Sequence, residues 1–195
     1  MKKMIFLDID GVLNNESFHE KWMDEHDTPC ESYEDSKWQD SFLEKLFSSR
    51  YIEVSDIQFY NGYIVPENLE NFNRIIDATN ADVVLSSDWR FINDGNYNNV
   101  ADIDIIKQMF RIREIKGNVI GATPYIFKNP RNIEILRYIK SNNIQDTKIV
   151  VIDDLREAGE AISGIPDTLF IWTDYVKGLT KEEANEVIEF LNKGE

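Results

Sequence analysis

Two short, continuously apolar runs each end in paired aspartates, and this limits what the chain can fold into. Met4-Ile5-Phe6-Leu7 leads into Asp8 and Asp10, and Ile149-Val150-Val151-Ile152 leads into Asp153-Asp154. Unbroken hydrophobicity is what a strand buried on both faces shows, whereas a half-exposed strand alternates. Val83-Val84-Leu85 and Thr168-Leu169-Phe170-Ile171-Trp172 read the same way. Helical patterns lie between these runs. Pro66 suits a first turn, with Leu69, Phe72 and Ile76 at helical spacing behind it. Ile103, Ile106 and Phe110 mark a second helix. Asn129-Pro130 reads as N-cap and first residue of a third, buried along Ile135, Leu136 and Ile139. Thr180 and Glu183 spell a capping box ahead of Ala184, Val187, Ile188 and Leu191.

Strands alternating with helices predict βαβ units, hence an α/β, Rossmann-like three-layer sandwich around a mainly parallel sheet. The chain, 195 residues long, is expected to form one domain over 1–195. The interval 14–65 breaks the rhythm. It offers an amphipathic stretch along Trp38, Phe42, Leu43, Leu46 and Phe47, then a hairpin pattern over Tyr51 to Val65 with Asn61-Gly62 at its turn. This reads as a small cap inserted over the sheet's C-terminal edge. It is also acidic: twelve Asp and Glu against four Lys and Arg supply −8 of the total charge of −15. Such a chain does not bind a duplex or an anionic membrane by bulk electrostatics, although a local positive site can hold one phosphate. The apolar run before Asp8 is too short for a signal core, and no window is long enough to span a bilayer, so a soluble protein is expected. The single cysteine, Cys30, suits a cytoplasmic location.

Ligands of open α/β sheets bind beyond the carboxyl ends of the strands, where both aspartate pairs fall. Packing anions together is unfavourable unless a cation or a shared proton compensates. Asp8, Asp10, Asp153 and Asp154 on one edge therefore point to a hard divalent ion with oxygen ligands, such as Mg²⁺. Gly11 lets the chain turn sharply after the first pair. Ser86-Ser87-Asp88-Trp89-Arg90 closes the Val83–Leu85 run at the same edge, where a hydroxyl can donate to a phosphoryl oxygen. Arg131, expected in a first helical turn, belongs there only if it faces an anion; Lys128 competes for that role. His19 and His26 read as surface residues, and Trp89 and Trp172 as core or rim packing.

The sequence resembles the haloacid dehalogenase (HAD) superfamily across nearly its whole length. Asp8-Ile9-Asp10-Gly11-Val12-Leu13 is similar to its first motif, Ser86 to its second, Arg131 or Lys128 to its third, and Asp153-Asp154 to its fourth. Val84-Leu85-Ser86-Ser87-Asp88-Trp89-Arg90, Gly121-Ala122-Thr123-Pro124, Arg131 with Glu134-Ile135, and Gly178-Leu179-Thr180 resemble a narrower subgroup. These are small domains of Swiss-Army-Knife RNA-repair-like proteins, which usually carry a glycine after the third-motif arginine; here Asn132 follows it.

The resemblance implies a Mg²⁺-dependent phosphohydrolase that cleaves a phosphomonoester. Asp8 would be the nucleophile that forms an aspartyl-phosphate, and Asp10 the general acid and base. Ser86 with Arg131 or Lys128 would bind the phosphate; Asp8, the carbonyl of Asp10, Asp153 and Asp154 would hold the metal. Dehalogenases of the superfamily are expected to lack an aspartate at the Asp10 position, which argues against a carbon–halogen substrate. The expected substrate is a small phosphorylated metabolite, a nucleotide or a nucleic-acid end. The contrasting reading is a non-catalytic binding or regulatory module that kept the fold. Neither substrate nor oligomeric state is written in the residues.

Overall fold

The strand β1 (Lys2–Leu7) takes the centre of a five-stranded parallel sheet, as its unbroken apolar run requires. The computed structural model describes residues 1–26, 63–90, 102–126 and 130–194. The amphipathic stretch and hairpin expected within 14–65 and Lys128 lie wholly or largely outside them. With β2 (Asp82–Leu85), β3 (Asn118–Ala122), β4 (Thr147–Asp153) and β5 (Thr168–Trp172), the strand order is β3-β2-β1-β4-β5. The chain builds outward from β1 to β3, then crosses to the other side of β1 to lay down β4 and β5. That reversal makes a topological switch point between β1 and β4, where a crevice opens at the strands' C-terminal ends.

Residue parity sends alternate side chains into two cores. Ile5 and Leu7, Val83 and Leu85, and Val150 and Ile152 face one cluster, covered by α2 (Pro66–Thr79), α3 (Ile103–Ile112) and α5 (Lys181–Asn192). Phe6, Val84 and Val151 face the other, covered by α4 (Arg131–Ser141) and a 3₁₀ segment, Arg156–Ile162. The first helix, α1 (Glu16–His26), follows the loop after β1. The three-layer parallel architecture is thus the one the apolar runs predict.

Two details differ. A fifth strand, β3, was not expected: it lies at the sheet edge, where Asn118 and Ile120 are exposed and only Val119 and Gly121 are buried. The helix α4 begins at Arg131 and Pro130 is its N-cap, not its first turn, with no side-chain cap. Pro130 has no N–H and its φ of −69° suits an extended boundary residue. The Thr180–Glu183 capping box is present as read.

Lys148 ties the sheet to α5. Its buried ammonium donates to the carbonyls of Phe190 and Leu191, each at 3.1 Å, and to that of Lys193. A cation among the unpaired carbonyls of a helix C-terminus is favoured by both hydrogen bonding and the dipole. Lys148→Met keeps the stem and removes these bonds. It should lower unfolding stability by about 1–3 kcal/mol, read as a lower urea midpoint at unchanged m-value. An unchanged midpoint would show that water replaces the ammonium at no loss.

Candidate active site

Extending the strand register one residue past β1 aligns the side chains that matter. The amide of Asp8 donates to the Ile152 carbonyl at 3.0 Å, that of Ser86 to Leu7 at 2.7 Å, and that of Thr123 to Leu85 at 2.9 Å. Asp153 pairs with Trp172. The result is a row across the C-terminal edge, Thr123–Ser86–Asp8–Asp153–Trp172, in which Asp8 continues the Phe6 face, Ser86 the Val84 face and Asp153 the Val151 face. The two central members flank the switch point.

The loop after Asp8 departs from extended geometry at once. The Ile9 carbonyl accepts from the amides of Val12, Leu13 and Asn14, and Gly11 sits at φ +66°. A Cβ at Gly11 would also lie 2.7 Å from the Cβ of Asp154, so glycine is required by both conformation and space. Because the chain turns here, the Asp8 and Asp10 carboxylates do not share surroundings as two residues of a strand would. Asp8 is 3% exposed and offers an oxygen within 4.8 Å of carboxylate oxygens from both Asp153 and Asp154. The Asp10 side chain stands outside this trio. It accepts from the Trp89 indole at 3.0 and 2.9 Å and from the Asn14 amide at 2.8 Å.

Arg131, the first residue of α4, brings its Nη1 to 3.7 Å from Asp8 Oδ1, while Lys128 is outside the described residues. Its helix is held by a buried ion pair. Glu134, one turn along, receives Arg90 Nη2 at 2.5 Å and the Ile126 amide at 3.0 Å. Arg90 also donates to the Ser87 carbonyl. Arg90 is 1% exposed, and removing one member of such a buried pair typically costs about 3–5 kcal/mol. The pair therefore fixes α4 against the segment that carries Ser86 and Ser87.

Burial drives the electrostatics. It pushes the Asp8 carboxyl up to about 7, with Asp10 adding to the rise and Arg131, the Ser87 hydroxyl and the Ile9 amide opposing it. Burial and then the Asp8 charge push Asp153 up to about 8. Asp154 is raised by burial and by Asp10. For Arg131 burial opposes the charge, but Asp8, Asp153, Asp88 and Glu134 together outweigh it and raise the pKa.

Several buried polar atoms around the row make no hydrogen bond among the described residues: Asp153 Oδ2, Ser86 Oγ, Thr123 Oγ1 and Arg131 Nη1. Such atoms are expensive to leave unpaired. They divide into a carboxylate oxygen that suits a hard cation and three donors that suit an anion. With an all-oxygen set from Asp8, Asp153 and Asp154, the residues fit a Mg²⁺-type ion.

Residue reading alone did not assign Ser87 to Asp8, Asn14 and Trp89 to Asp10, or Arg90 to Glu134. Strand parity hides the first of these, since it puts Ser86 rather than Ser87 on the face of Asp8. Trp89 is core, as expected, and also a donor. Trp172 is a half-exposed rim residue whose indole donates to the Asp154 carbonyl at 2.9 Å, with the Arg156 guanidinium 4.8 Å above its ring. His19 is half-buried in α1 and stacks on Tyr63 at 5.7 Å.

A parallel sheet with its first strand central, one aspartate just past that strand and an aspartate pair at the end of the neighbouring one is the arrangement of a HAD-type domain. Residues 4–184 match the family described as the HAD domain in Swiss Army Knife RNA repair proteins, and the chain belongs to that family. No match is found among curated proteins. Family membership supports a HAD-type phosphohydrolase in general terms. No described helix is long and apolar enough to cross a membrane.

The raised carboxyls give the metal-free protein a distinctive pH response. A group that binds its proton more tightly when folded contributes stability that is full below its unfolded pKa, near 4, and is lost as pH rises through the folded value. With folded values of about 7 and about 8 for Asp8 and Asp153, the contribution should fade between about pH 4 and pH 9. The thermal midpoint without divalent ions should therefore fall across that window, and Asp153→Asn should flatten the fall. Millimolar Mg²⁺, which needs the deprotonated carboxylates, should raise the midpoint more at about pH 8 than at about pH 5. Equal Mg²⁺ effects at both would argue against the trio as a cation site.

Proposed function

We propose that this chain hydrolyses a phosphomonoester through an aspartyl-phosphate on Asp8. One observation carries the reading: buried Asp8 has the Arg131 guanidinium at 3.7 Å and oxygens of Asp153 and Asp154 within 4.8 Å, while Asp10 is held apart on its own donors. That separation gives two neighbouring aspartates two different jobs.

In this reading an Asp8 oxygen attacks phosphorus in line, the P–O bond to the leaving group breaks, and Asp10 gives that oxygen a proton. Asp10 then takes a proton from the water that displaces Asp8 and regenerates its carboxylate. Arg131 Nη1 and the Ser86 hydroxyl donate to the equatorial oxygens of the transferred group, with the Ser87 hydroxyl steadying Asp8. Asp8, Asp153, Asp154 and the main-chain carbonyl of Asp10 would hold Mg²⁺, which when bound neutralises charge on the phosphoryl group. The 14–65 interval carries −8 of the total charge of −15. Its acidity disfavours long polyanions, so the favoured substrate is a small phosphate ester or nucleotide, with a short nucleic-acid end as the alternative.

The test is phosphate release from an aryl phosphate, from phosphorylated metabolites and from 3′- and 5′-phosphorylated oligonucleotides, with and without Mg²⁺. Asp8→Asn should lower kcat at least about a hundredfold on every accepted substrate, with the fold intact by circular dichroism. Activity within tenfold of the parent would remove Asp8 from its role.

Arg131→Ala should reduce kcat/KM much more than Lys128→Ala, because Arg131 stands 3.7 Å from Asp8 at a buried position. The reverse order in steady-state kinetics would transfer the phosphate contact to Lys128.

A further inference from the structure

Asp10 can deliver a proton usefully only if its carboxyl is aimed, and its three hydrogen bonds determine the aim. Oδ1 accepts from Asn14 Nδ2 at 2.8 Å and from Trp89 Nε1 at 3.0 Å. Oδ2 receives the same indole at 2.9 Å and no other donor among the described residues. A carboxylate oxygen offers about two lone-pair sites, so Oδ1 is filled and Oδ2 keeps one open. Both donors are themselves fixed. The Asn14 Oδ1 accepts from the Gly11 amide at 2.9 Å, so a flipped amide would lose both bonds. Trp89 is 3% exposed and packed in the core under α2 and α3, which prevents its indole from turning away.

We infer that Trp89 and Asn14 form a two-donor clamp that orients Asp10 and leaves Oδ2 as the oxygen that carries the transferred proton. This rests on the phosphohydrolase reading. The proton on Oδ2 passes to the leaving oxygen as its bond to phosphorus breaks and the Asp8–phosphorus bond forms. In the second half a water proton returns to Oδ2 as water oxygen bonds phosphorus and the Asp8 bond breaks. Trp89 and Asn14 are positioning residues, acting through Asp10 rather than on substrate. The Trp89 N–H thus reaches from the segment after β2 to the loop after β1.

The experiment is a leaving-group series on the full chain with Mg²⁺, from p-nitrophenyl phosphate to phenyl and simple alkyl phosphates. Poor leaving groups depend on protonation and good ones hardly do. Trp89→Phe keeps the ring and deletes the donor; Asn14→Ala deletes the other. Each should lower kcat/KM at least about tenfold more for alkyl than for p-nitrophenyl phosphate, steepening the dependence on leaving-group basicity. A loss of equal size across the series, in variants that melt as the parent does, overturns the clamp. A second readout needs no turnover. The Trp89 indole proton resonance, assigned by its disappearance in Trp89→Phe, should move upfield in Asp10→Asn, where the acceptor loses its charge. An unmoved resonance also overturns the inference. A parent chain inert to the whole series, or an active Asp8→Asn, sinks the hydrolase reading and this inference with it. Uniform losses alongside a dead Asp8→Asn sink the inference alone.

Discussion

Charge crowding at the end of a buried strand organises this molecule. Asp8 and Asp153 extend neighbouring strands on the same face, so the backbone register itself forces their carboxylates together away from water. Like charges so placed cannot both ionise freely, and burial raises both pKa values accordingly. Arg131 relieves part of the burden from the first residue of α4. A proton or a cation has to relieve the rest. The Gly11 turn then removes Asp10 from the cluster, sending the next carboxylate to a different set of donors. Crowding at Asp8 and separation at Asp10, two residues on, together make one aspartate a candidate nucleophile and the other a candidate proton carrier.

The loop that achieves this is held from the far end of the chain. Thr173 Oγ1 donates to the Gly11 carbonyl at 2.8 Å and the Leu179 amide to the Val12 carbonyl at 2.8 Å. The amides of Glu16 and Ser17 reach the carbonyls of Tyr175 and Val176. Residues separated by some 160 positions thus fix the loop conformation. Such non-local closure is slow to form, since the loop entropy is lost before the contacts are gained. The site is therefore a product of the finished fold rather than of its first motif.

Much of this was legible in the sequence, for reasons particular residues make clear. The runs at β1, β2 and β4 are apolar throughout because both faces of central strands are buried, and β5 keeps enough of the pattern to be read. The strand β3 escaped notice because its apolar β-branched run is only Val119-Ile120 before Gly121, too short to stand out as a buried strand. Asp8 and Asp153 stood out because charge immediately after a buried strand is costly and has to be answered. Where Asn14 and Trp89 point did not stand out, since beyond a turn no period of two or 3.6 governs side-chain direction. Likewise, nothing in the spacing of Arg90 and Glu134, 44 residues apart, announces that they meet.

That meeting has an evolutionary consequence. Arg90 and Glu134 each sit in surroundings that tolerate the other's charge and little else. A lineage can alter either one only by passing through an uncompensated buried ion, or by exchanging both for a matched apolar pair. The two positions should therefore drift as one heritable unit, and strong epistasis between them would couple the segment bearing the serines to the helix bearing Arg131 however far the rest of the sequence diverges.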